Sequence, residues 1–196
     1  MTFYLVTQHS FSDPQPQEQA IMIDALRELL GPWYLYIKFV HVTFVMVWVF
    51  STAHAYAYYV VPVFKAWRRN PEDEDVIELR DWVMERFDQG VIMEHVAYPI
   101  ILITGPLLFI AGGWNSSSDW LMLKLAIVVL ITLPIEILDY HLSHFGGAKA
   151  NIRATGDKEA YEAGIHLHWY FLLYSSPVIM PAALLIVFLA ITKFSF

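Results

Sequence analysis

Four long stretches of nearly unbroken apolar and aromatic residues dominate the chain, and short polar segments separate them. The stretches cover residues 34–64, 91–114, 120–140 and 168–194. Each is long enough for a membrane-spanning helix, which needs about 20 mostly apolar residues, and none alternates polar and apolar residues as a membrane β-strand does. The pattern predicts an all-α fold, an integral membrane four-helix bundle. The first stretch is overlong, so we expect it to tilt, kink or protrude.

A short amphipathic helix is predicted before the first span. Residues 18–30 carry one apolar stripe opposite a charged face, and Gly31-Pro32 is a typical helix end. We expect this helix to rest on the outer membrane surface with its apolar face buried. The chain is therefore divided into a tail with an interfacial helix, residues 1–33, and a single transmembrane domain, residues 34–196.

The first long loop is predicted to contain a second amphipathic helix. Asn70 is expected to cap it, with Pro71 at the first helical position and Gly90 at its end. Its apolar residues recur at helical spacing on one face: Val76, Leu79, Val83 and Phe87. The opposite, acidic face is expected to be solvated. The second long loop, residues 145–164, is rich in small residues, and we expect it to be partly mobile.

The composition agrees with the membrane class and limits the chemistry. Of 196 residues, 57% are hydrophobic and only 16% are charged, with a mean hydropathy of +0.47, which is too apolar for a soluble domain of this size. No cysteine is present, which excludes disulfides, thiolate metal sites and iron–sulfur clusters. Haem b, copper, zinc or non-haem iron held by His and carboxylate ligands remain open. The net charge of -7 argues against nucleic acid as a partner.

Positively charged residues indicate the orientation, because they concentrate in cytoplasmic loops. The connection formed by residues 112–119 has none. The two long loops carry Lys65, Arg68, Arg69, Arg80 and Arg86 in the first, and Lys149, Arg153 and Lys158 in the second. We therefore expect an inner-membrane protein with both long loops in the cytoplasm and both termini outside. No cleavable signal peptide is evident, so the first span is expected to direct insertion.

Most of the histidines fall at the cytoplasmic end of the predicted bundle. A rise of about 1.5 Å per residue converts position along each span into depth. The candidate metal ligands at this end are His54, Glu94, His95, Glu136, Asp139, His141, His144 and His168. His166 and His168 are two residues apart, so at most one of them should face inward. Because ionisable groups in a membrane are costly and usually functional, this inner cluster is a candidate iron or copper site, and solvated interfacial histidines are the alternative.

A separate pair, His41 and Lys124, lies towards the outer end of the first and third spans. Both are expected within the apolar slab, where a lysine is costly unless it is paired or reaches the headgroups. We interpret the pair as functional; the alternatives are a hydrogen bond from His41 to a neighbouring helix and snorkelling of Lys124. His41 and His54 are 13 residues apart, or about 220° around a helix, so one haem is more economical than two stacked haems.

Sequence motifs at these positions resemble those of the HemJ-type protoporphyrinogen IX oxidases. The first span opens YLYIKFVHVTFVMVW, which is similar to that family's Tyr/Trp-x-Lys-x-x-His run leading to a Trp, and it contains His41 and Trp48. The third span opens DWLMLKLAIVVL, which is similar to the family's Trp-Leu-x-x-Lys-Leu run and contains Lys124. The CopD-type copper-resistance membrane proteins share the same general four-helix plan.

This resemblance implies a membrane oxidoreductase that binds haem b and acts on a porphyrinogen. His41 would be an axial haem ligand, Trp48 would lie at the cofactor, and Lys124 would bind a porphyrin propionate or the reacting centre. Electrons would leave toward quinone or a respiratory chain, in a homo-oligomer or a respiratory complex. Three alternatives stay open: a cytochrome b electron-transfer subunit of a quinone-linked complex, a non-haem iron or copper protein that uses the inner cluster, and a structural subunit that docks a partner.

Overall fold

The computed structural model describes residues 16–194, except the side chains of Pro16 and Thr52, so most of the predicted tail lies outside it. Within that range every regular element is helical and no β-strand occurs, which confirms the all-α prediction there. The α-helices are α1 (Pro16–Leu30), α2 (Tyr34–Ala55), α3 (Val61–Arg69), α4 (Glu74–Gly90), α5 (Ile92–Ala111), α6 (Asp119–Ile127), α7 (Leu133–Ser143), α8 (Lys149–Ala154) and α9 (Lys158–Thr192).

Most of these helices join into four long rods, counted over the described residues. The rods are Gln17–Arg69, Glu74–Ala111, Asp119–Ser143 and Lys158–Thr192. Each is long and apolar enough to cross a membrane, which confirms the prediction of four such helices. The rods are longer than the predicted spans, because polar or amphipathic turns continue them beyond their apolar parts.

The predicted amphipathic helix before the first span is present as α1, but Gly31-Pro32 does not end the rod. Gly31–Trp33 forms one 3₁₀ turn, and α2 follows at once. Pro32 is tolerated because it lies at the start of that turn, where its missing N–H breaks no helical hydrogen bond. The tail helix is therefore a direct extension of the first span, and it contacts α5.

Two of the rods contain a π-helical segment that ends two residues before a proline. Tyr56–Val60 joins α2 to α3 and precedes Pro62, and Val128–Thr132 joins α6 to α7 and precedes Pro134. Proline has no N–H to donate, and its ring clashes with the carbonyl group four residues earlier. A π-helical turn lengthens the hydrogen-bonded loop by one residue and lets the helix continue. In this way the overlong first span runs past its proline to Arg69.

The helix cap predicted at Asn70 is wrong. Asn70 ends α3, and the carboxylate of Asp73 caps α4 by accepting hydrogen bonds from the backbone N–H groups of Asp75 and Val76, at 3.1 and 3.3 Å. Asp73 has the extended backbone and short acceptor side chain that this position favours. α4 ends at Gly90 as predicted, yet only one residue separates it from α5, so the loop helix is an extension of the second span.

The largest buried apolar cluster among the described residues lies at the end that carries the two long loops. Val60, Phe64 and Ile165 are fully buried there, and Phe64 stacks on Trp169 with ring centroids 4.1 Å apart. The second long loop, which we expected to be partly mobile, forms a 3₁₀ turn, Phe145–Gly147, and then α8, which contacts α4 and α9. This packing holds the polar residues of both loops against the bundle.

Candidate functional site

Ionisable side chains gather in two separate regions, near opposite ends of the bundle. We call the end next to α1 the tail side and the end with the two long loops the loop side; they correspond to the predicted outer and inner ends. The tail-side site consists of His41, Thr104 and Lys124. The loop-side network consists of Asp88, His95, Asp139, His144, Lys149 and His168. Beside it lies the carboxyl pair, Glu94 and Glu136.

At the tail-side site a hydrogen bond joins α2 to α5. His41 Nδ1 lies 2.8 Å from the hydroxyl oxygen of Thr104, which lies 2.7 Å from the backbone oxygen of Ile100. The carbonyl can only accept, so the single hydroxyl proton of Thr104 points to Ile100. His41 Nδ1 must then be the donor. The other ring nitrogen, Nε2, carries a free lone pair and has no hydrogen-bond partner among the described residues.

Lys124 enters the same site from α6. Its side chain is half-buried and close enough to His41 to interact with it electrostatically. Over residues 16–194 its ammonium group makes no hydrogen bond or ion pair with another side chain. The tail-side site thus offers one nitrogen lone pair and one uncommitted cation, a combination suited to a ligand that carries both a metal and a carboxylate.

Trp48, which the resemblance assigns to the cofactor, makes its hydrogen bond outside the tail-side site. It is buried, its indole N–H donates to Glu136 Oε1 at 2.8 Å, and its ring lies 5.5 Å from that of Tyr98. It follows His41 on α2 by seven residues, a rise of about 10 Å. Trp48 therefore contacts the carboxyl pair.

Asp139 on α7 is the centre of the loop-side network. Its Oδ1 accepts a hydrogen bond from His168 Nε2 at 3.1 Å. Its Oδ2 lies 3.3 Å from His95 Nε2, an ion-pair distance at which the ring N–H is not aligned for a hydrogen bond. His95 Nδ1 in turn lies 2.7 Å from His144 Nε2. One buried carboxylate is thus flanked by two imidazoles, and a third imidazole, that of the half-buried His144, extends this row of contacts.

Lys149, the first residue of α8, is buried and closes the network on its other side. Its ammonium donates to Asp88 Oδ1 at 3.1 Å, to the Leu142 carbonyl at 2.7 Å and to His168 Nδ1. Its backbone N–H donates to Asp88 Oδ2 at 2.8 Å. Burial lowers the pKa of Lys149, although the charge of Asp88 opposes this shift. Because Lys149 donates to Nδ1 of His168, the proton of that ring is on Nε2, facing Asp139.

The carboxyl pair lies where α5 and α7 meet. Glu94 and Glu136 are almost fully buried, at 2% and 5% exposure, and their carboxyl groups interact. Trp48 donates to one oxygen of Glu136. A like-charged pair in such surroundings is strongly disfavoured unless one member holds a proton.

The structure leaves two predicted ligands outside both the loop-side network and the carboxyl pair. His141 is exposed, and His54 is exposed on α2 with its ring against Phe50, Tyr58 and Tyr59. Helical phase explains both, since each points away from the face that packs on neighbouring rods. His54 borders an apolar groove of about 560 Å³ between α2 and α9. The rule for residues two apart is confirmed: His168 is buried, and His166 packs against Trp67 instead.

No group of three or more His, Asp or Glu side chains in the described range is arranged to hold a metal ion. The imidazoles and carboxylates of the loop-side network are already bonded to one another or to Lys149. A cation bound by Asp88 and His168 would have to displace the ammonium group of Lys149. The members of the network are therefore held mainly by contacts with one another and with Lys149.

Three residues of these regions were not identified from the sequence. Thr104 could have been found, because it is a polar residue of the second span near the depth of His41. Asp88 was not singled out in the loop helix, and Lys149 was counted only as a charge that sets orientation. Nothing in the helical period indicates that the second loop folds back and buries Lys149.

Comparison with known proteins gives no independent guide to the family. No protein-family model matches this chain, and no curated protein or solved structure matches it either. The HemJ-type resemblance of the first and third spans therefore stays a prediction, and functional inference depends on the two polar regions.

Proposed function

We propose that the chain is an integral membrane protein that binds haem b through His41 and acts as an oxidoreductase of the HemJ type on a porphyrinogen. The hydrogen-bond pattern of His41 carries this proposal. Thr104 accepts from Nδ1–H and leaves the Nε2 lone pair available. Histidines that bind a metal centre are typically held in this way, with the second nitrogen donating to a neighbouring group that fixes tautomer and orientation.

The residues of the tail-side site fit haem b. His41 Nε2 would bind the haem iron, and Lys124 would pair with a propionate carboxylate. Bound haem supplies one-electron transfer. The part of this chain is to hold one imidazole tautomer through Thr104 and to place a positive charge beside the carboxylates of the ligand.

The proposed orientation has the tail side outside and the loop side in the cytoplasm of an inner membrane. Its support is the concentration of lysine and arginine in the two long loops. The chain has no cysteine, so single cysteines can report it. An Asn115→Cys variant should react with a membrane-impermeant maleimide in intact spheroplasts, and Asn151→Cys only after lysis. The reverse pattern would overturn the orientation.

Absorption spectroscopy of the detergent-purified protein, oxidised and then reduced with dithionite, tests haem binding. We expect a Soret band and sharp reduced α and β bands in the wild type. His41→Ala should lose them completely. His54→Ala and His141→Ala are matched controls, because both remove an exposed imidazole outside the tail-side site, and both should keep the spectrum.

Two outcomes would overturn haem binding through His41, and a third would overturn the enzyme activity. A featureless visible spectrum after expression with excess haem would exclude haem b. Loss of haem in His54→Ala but not in His41→Ala would move the cofactor to the groove between α2 and α9. If haem is bound through His41 and porphyrinogen is not oxidised in the presence of a quinone acceptor, the protein is an electron-transfer cytochrome.

A further inference from the structure

We propose that the first rod binds an anionic phospholipid at the loop side, with one acyl chain in the apolar groove between α2 and α9 and the phosphate at Lys65, Arg68 and Arg69. Three kinds of surface follow one another along this rod, in the order of the apolar chain, the ester groups and the charged head of a phospholipid. The proposal rests on the membrane placement proposed above, but it needs neither haem nor any residue of the tail-side site.

The groove supplies the apolar part of this lipid site. It has a volume of about 560 Å³, and its walls include Val49 on α2 and Met180 and Val187 on α9. No charged side chain lines it among the described residues. Along the first rod it extends from Val45 to Tyr58, a rise of about 20 Å. One leaflet of a bilayer has an apolar thickness of about 15 Å, so the groove is long enough for an acyl chain.

Two polar rings mark the loop-side end of the groove. His54 and Tyr58 both line it, both are exposed, and their ring centroids lie 4.9 Å apart. Neither side chain makes a hydrogen bond to another described residue. An imidazole N–H and a phenol O–H can each donate to an ester carbonyl oxygen of a lipid. Tyrosine is also enriched at this level of a bilayer, because one end of its side chain is apolar and the other polar.

Three cations lie on α3, directly beyond these rings. Lys65, Arg68 and Arg69 are all exposed, and over residues 16–194 none of them forms a side-chain hydrogen bond or an ion pair. Residues 72–75 are acidic and follow closely in the sequence, yet no ion pair joins them to these cations in the described part of the chain. The positive charge of α3 is therefore available to an anion from outside the protein.

The cations of α4 and α8, by contrast, are all bonded to acceptors within the protein. Arg80 pairs with Asp81 and Glu162, and Arg153 pairs with Asp81 and Glu85. Positive residues collect in cytoplasmic loops in general, but that tendency does not explain why three neighbouring cations lack an internal acceptor. Clusters of Lys and Arg next to a membrane span attract anionic lipid headgroups, whereas a choline headgroup would bring a further positive charge among them.

One exposed face of the first rod connects the groove with the cations. Its exposed residues recur at intervals of four, three and four positions: Tyr58, Pro62, Lys65 and Arg69. Residues at such intervals share a side of a helix, and the opposite side is buried in the bundle at Phe64. Long side chains on a helix lean toward its N-terminus. On α3 that direction leads back to the groove, so the cationic ends of Lys65 and Arg69 extend toward the level of the ester groups.

Native mass spectrometry of the detergent-purified full chain tests the headgroup part of the proposal. Dioleoyl phosphatidylglycerol should bind more tightly than dioleoyl phosphatidylcholine. Arg69→Gln should weaken phosphatidylglycerol binding about 5-fold, and the triple variant Lys65→Gln, Arg68→Gln, Arg69→Gln about 100-fold. Phosphatidylcholine binding should change little in either. All three side chains are exposed, so these substitutions should leave the fold intact.

Lys158→Gln is the matched control for the loss of charge. Lys158 is also an exposed lysine of the loop side without an ion pair among the described residues, but it begins α9, more than 20 residues before the groove residue Met180. This variant should bind phosphatidylglycerol like the wild type. Equal affinity of the wild type for the two lipids, or equal affinity of Lys158→Gln and the triple variant for phosphatidylglycerol, would overturn the proposal.

Ala53→Phe tests the groove, because Ala53 is part of its wall. The added ring should weaken dioleoyl phosphatidylglycerol about 10-fold, the effect of displacing roughly two methylene groups. Dihexanoyl phosphatidylglycerol, whose short chains use little of the groove, should bind equally to both proteins. If Ala53→Phe instead abolishes a dimer and leaves lipid affinity unchanged, a second copy of the chain covers the groove and the proposal is wrong.

The lipid site and the proposals on which the rest depends fail in different ways. Haem binding is read separately from the visible spectrum, and none of the lipid titrations bears on it. A chain that stays soluble without detergent and binds neither lipid would overturn the membrane placement itself. A chain that requires detergent but binds both lipids equally would overturn the lipid site alone.

Discussion

The tail-side site and the loop-side network both place ionisable groups among apolar helices, but they satisfy those groups in different ways. In the loop-side network every charged or imidazole group contacts at least one protein partner. At the tail-side site His41 has one partner and one open nitrogen, and Lys124 has no hydrogen-bonded partner among the described residues. The tail-side site therefore keeps more unused bonding capacity than the loop-side network, and this is why we propose it as the ligand site.

The two regions also differ in what holds them. His41 and Thr104 lie on two long rods that cross the bundle. The loop-side network takes Lys149 from the short α8 and ties it to Asp88 and His168 on two other elements. Removing one partner of a buried ion pair is strongly destabilising, because the remaining charge is left buried without compensation. Stability should therefore depend on the loop-side network, and haem binding on the tail-side site.

The largest effect is expected for Lys149→Ala, which leaves Asp88 buried without its cation. Breaking one partner of a buried pair costs about 3–5 kcal/mol, and we expect that loss in the free energy of unfolding, measured by denaturant titration in detergent with tryptophan fluorescence as the signal. Haem content of the fraction that stays folded should not change.

A double variant distinguishes the effect of the Lys149–Asp88 charges from the effect of losing the lysine side chain's packing. Lys149→Met with Asp88→Asn removes both charges and keeps an acceptor for the backbone N–H of residue 149, so it should recover most of the lost stability. Lys158→Ala, at an exposed lysine of α9, should change the free energy of unfolding by less than about 0.5 kcal/mol. Equal losses in Lys149→Ala and the double variant would contradict the ion-pair account.

Thr104→Val tests the hydrogen bond that orients His41 at the tail-side site. Valine keeps the shape of threonine but cannot accept from His41 Nδ1, so the imidazole loses its fixed tautomer. Loss of such an orienting group typically weakens ligand affinity about 10–100-fold, and titration of the haem-free protein with haem should show this. Thr104→Ser retains the hydroxyl and should bind like the wild type. Normal affinity in Thr104→Val would mean that this hydrogen bond has no role in the site.

Trp48→Phe tests which region Trp48 belongs to. The change removes the indole N–H that donates to the buried carboxyl group of Glu136. An unsatisfied buried acceptor costs about 1–3 kcal/mol. We expect that loss in the free energy of unfolding, together with unchanged haem content. The opposite result, a stable protein without haem, would return Trp48 to the cofactor as the sequence motif predicts.

Much of the fold follows from the sequence, because four apolar stretches that are each long enough to span a membrane leave few alternatives to four long helices. The cap of α4 was missed because Asn70 and Asp73 are both good capping residues, and the choice depends on where α3 ends. The continuity past Gly31-Pro32 was missed because a 3₁₀ turn accommodates the proline. These errors move helix boundaries without changing the number of rods.

For the site residues, the sequence predicted the position along each helix but not the side of the helix on which each residue lies. Rise per residue correctly separated His41 and Lys124 from the inner histidines, because depth depends only on position along a straight rod. Which side of a helix faces the bundle depends on its packing partners, so His54 and His141 were grouped with residues that they do not contact. Lys149 reaches the network through a loop that folds back, and no periodic pattern records that.

The smallest effect concerns the pH dependence of stability through His144. Its pKa in the folded protein is lowered by burial and by His95, so the unfolded chain binds the proton more tightly. The contribution of neutral His144 to stability is therefore complete above the ordinary imidazole value of about 6.5 and is lost as the pH falls below it. Since the side chain is only half-buried, we expect less than about 1 kcal/mol. Thermal unfolding of wild type and His144→Gln between about pH 7 and about pH 5 isolates the effect: the wild type should lose more stability on acidification, and parallel curves would show that His144 does not titrate against the network.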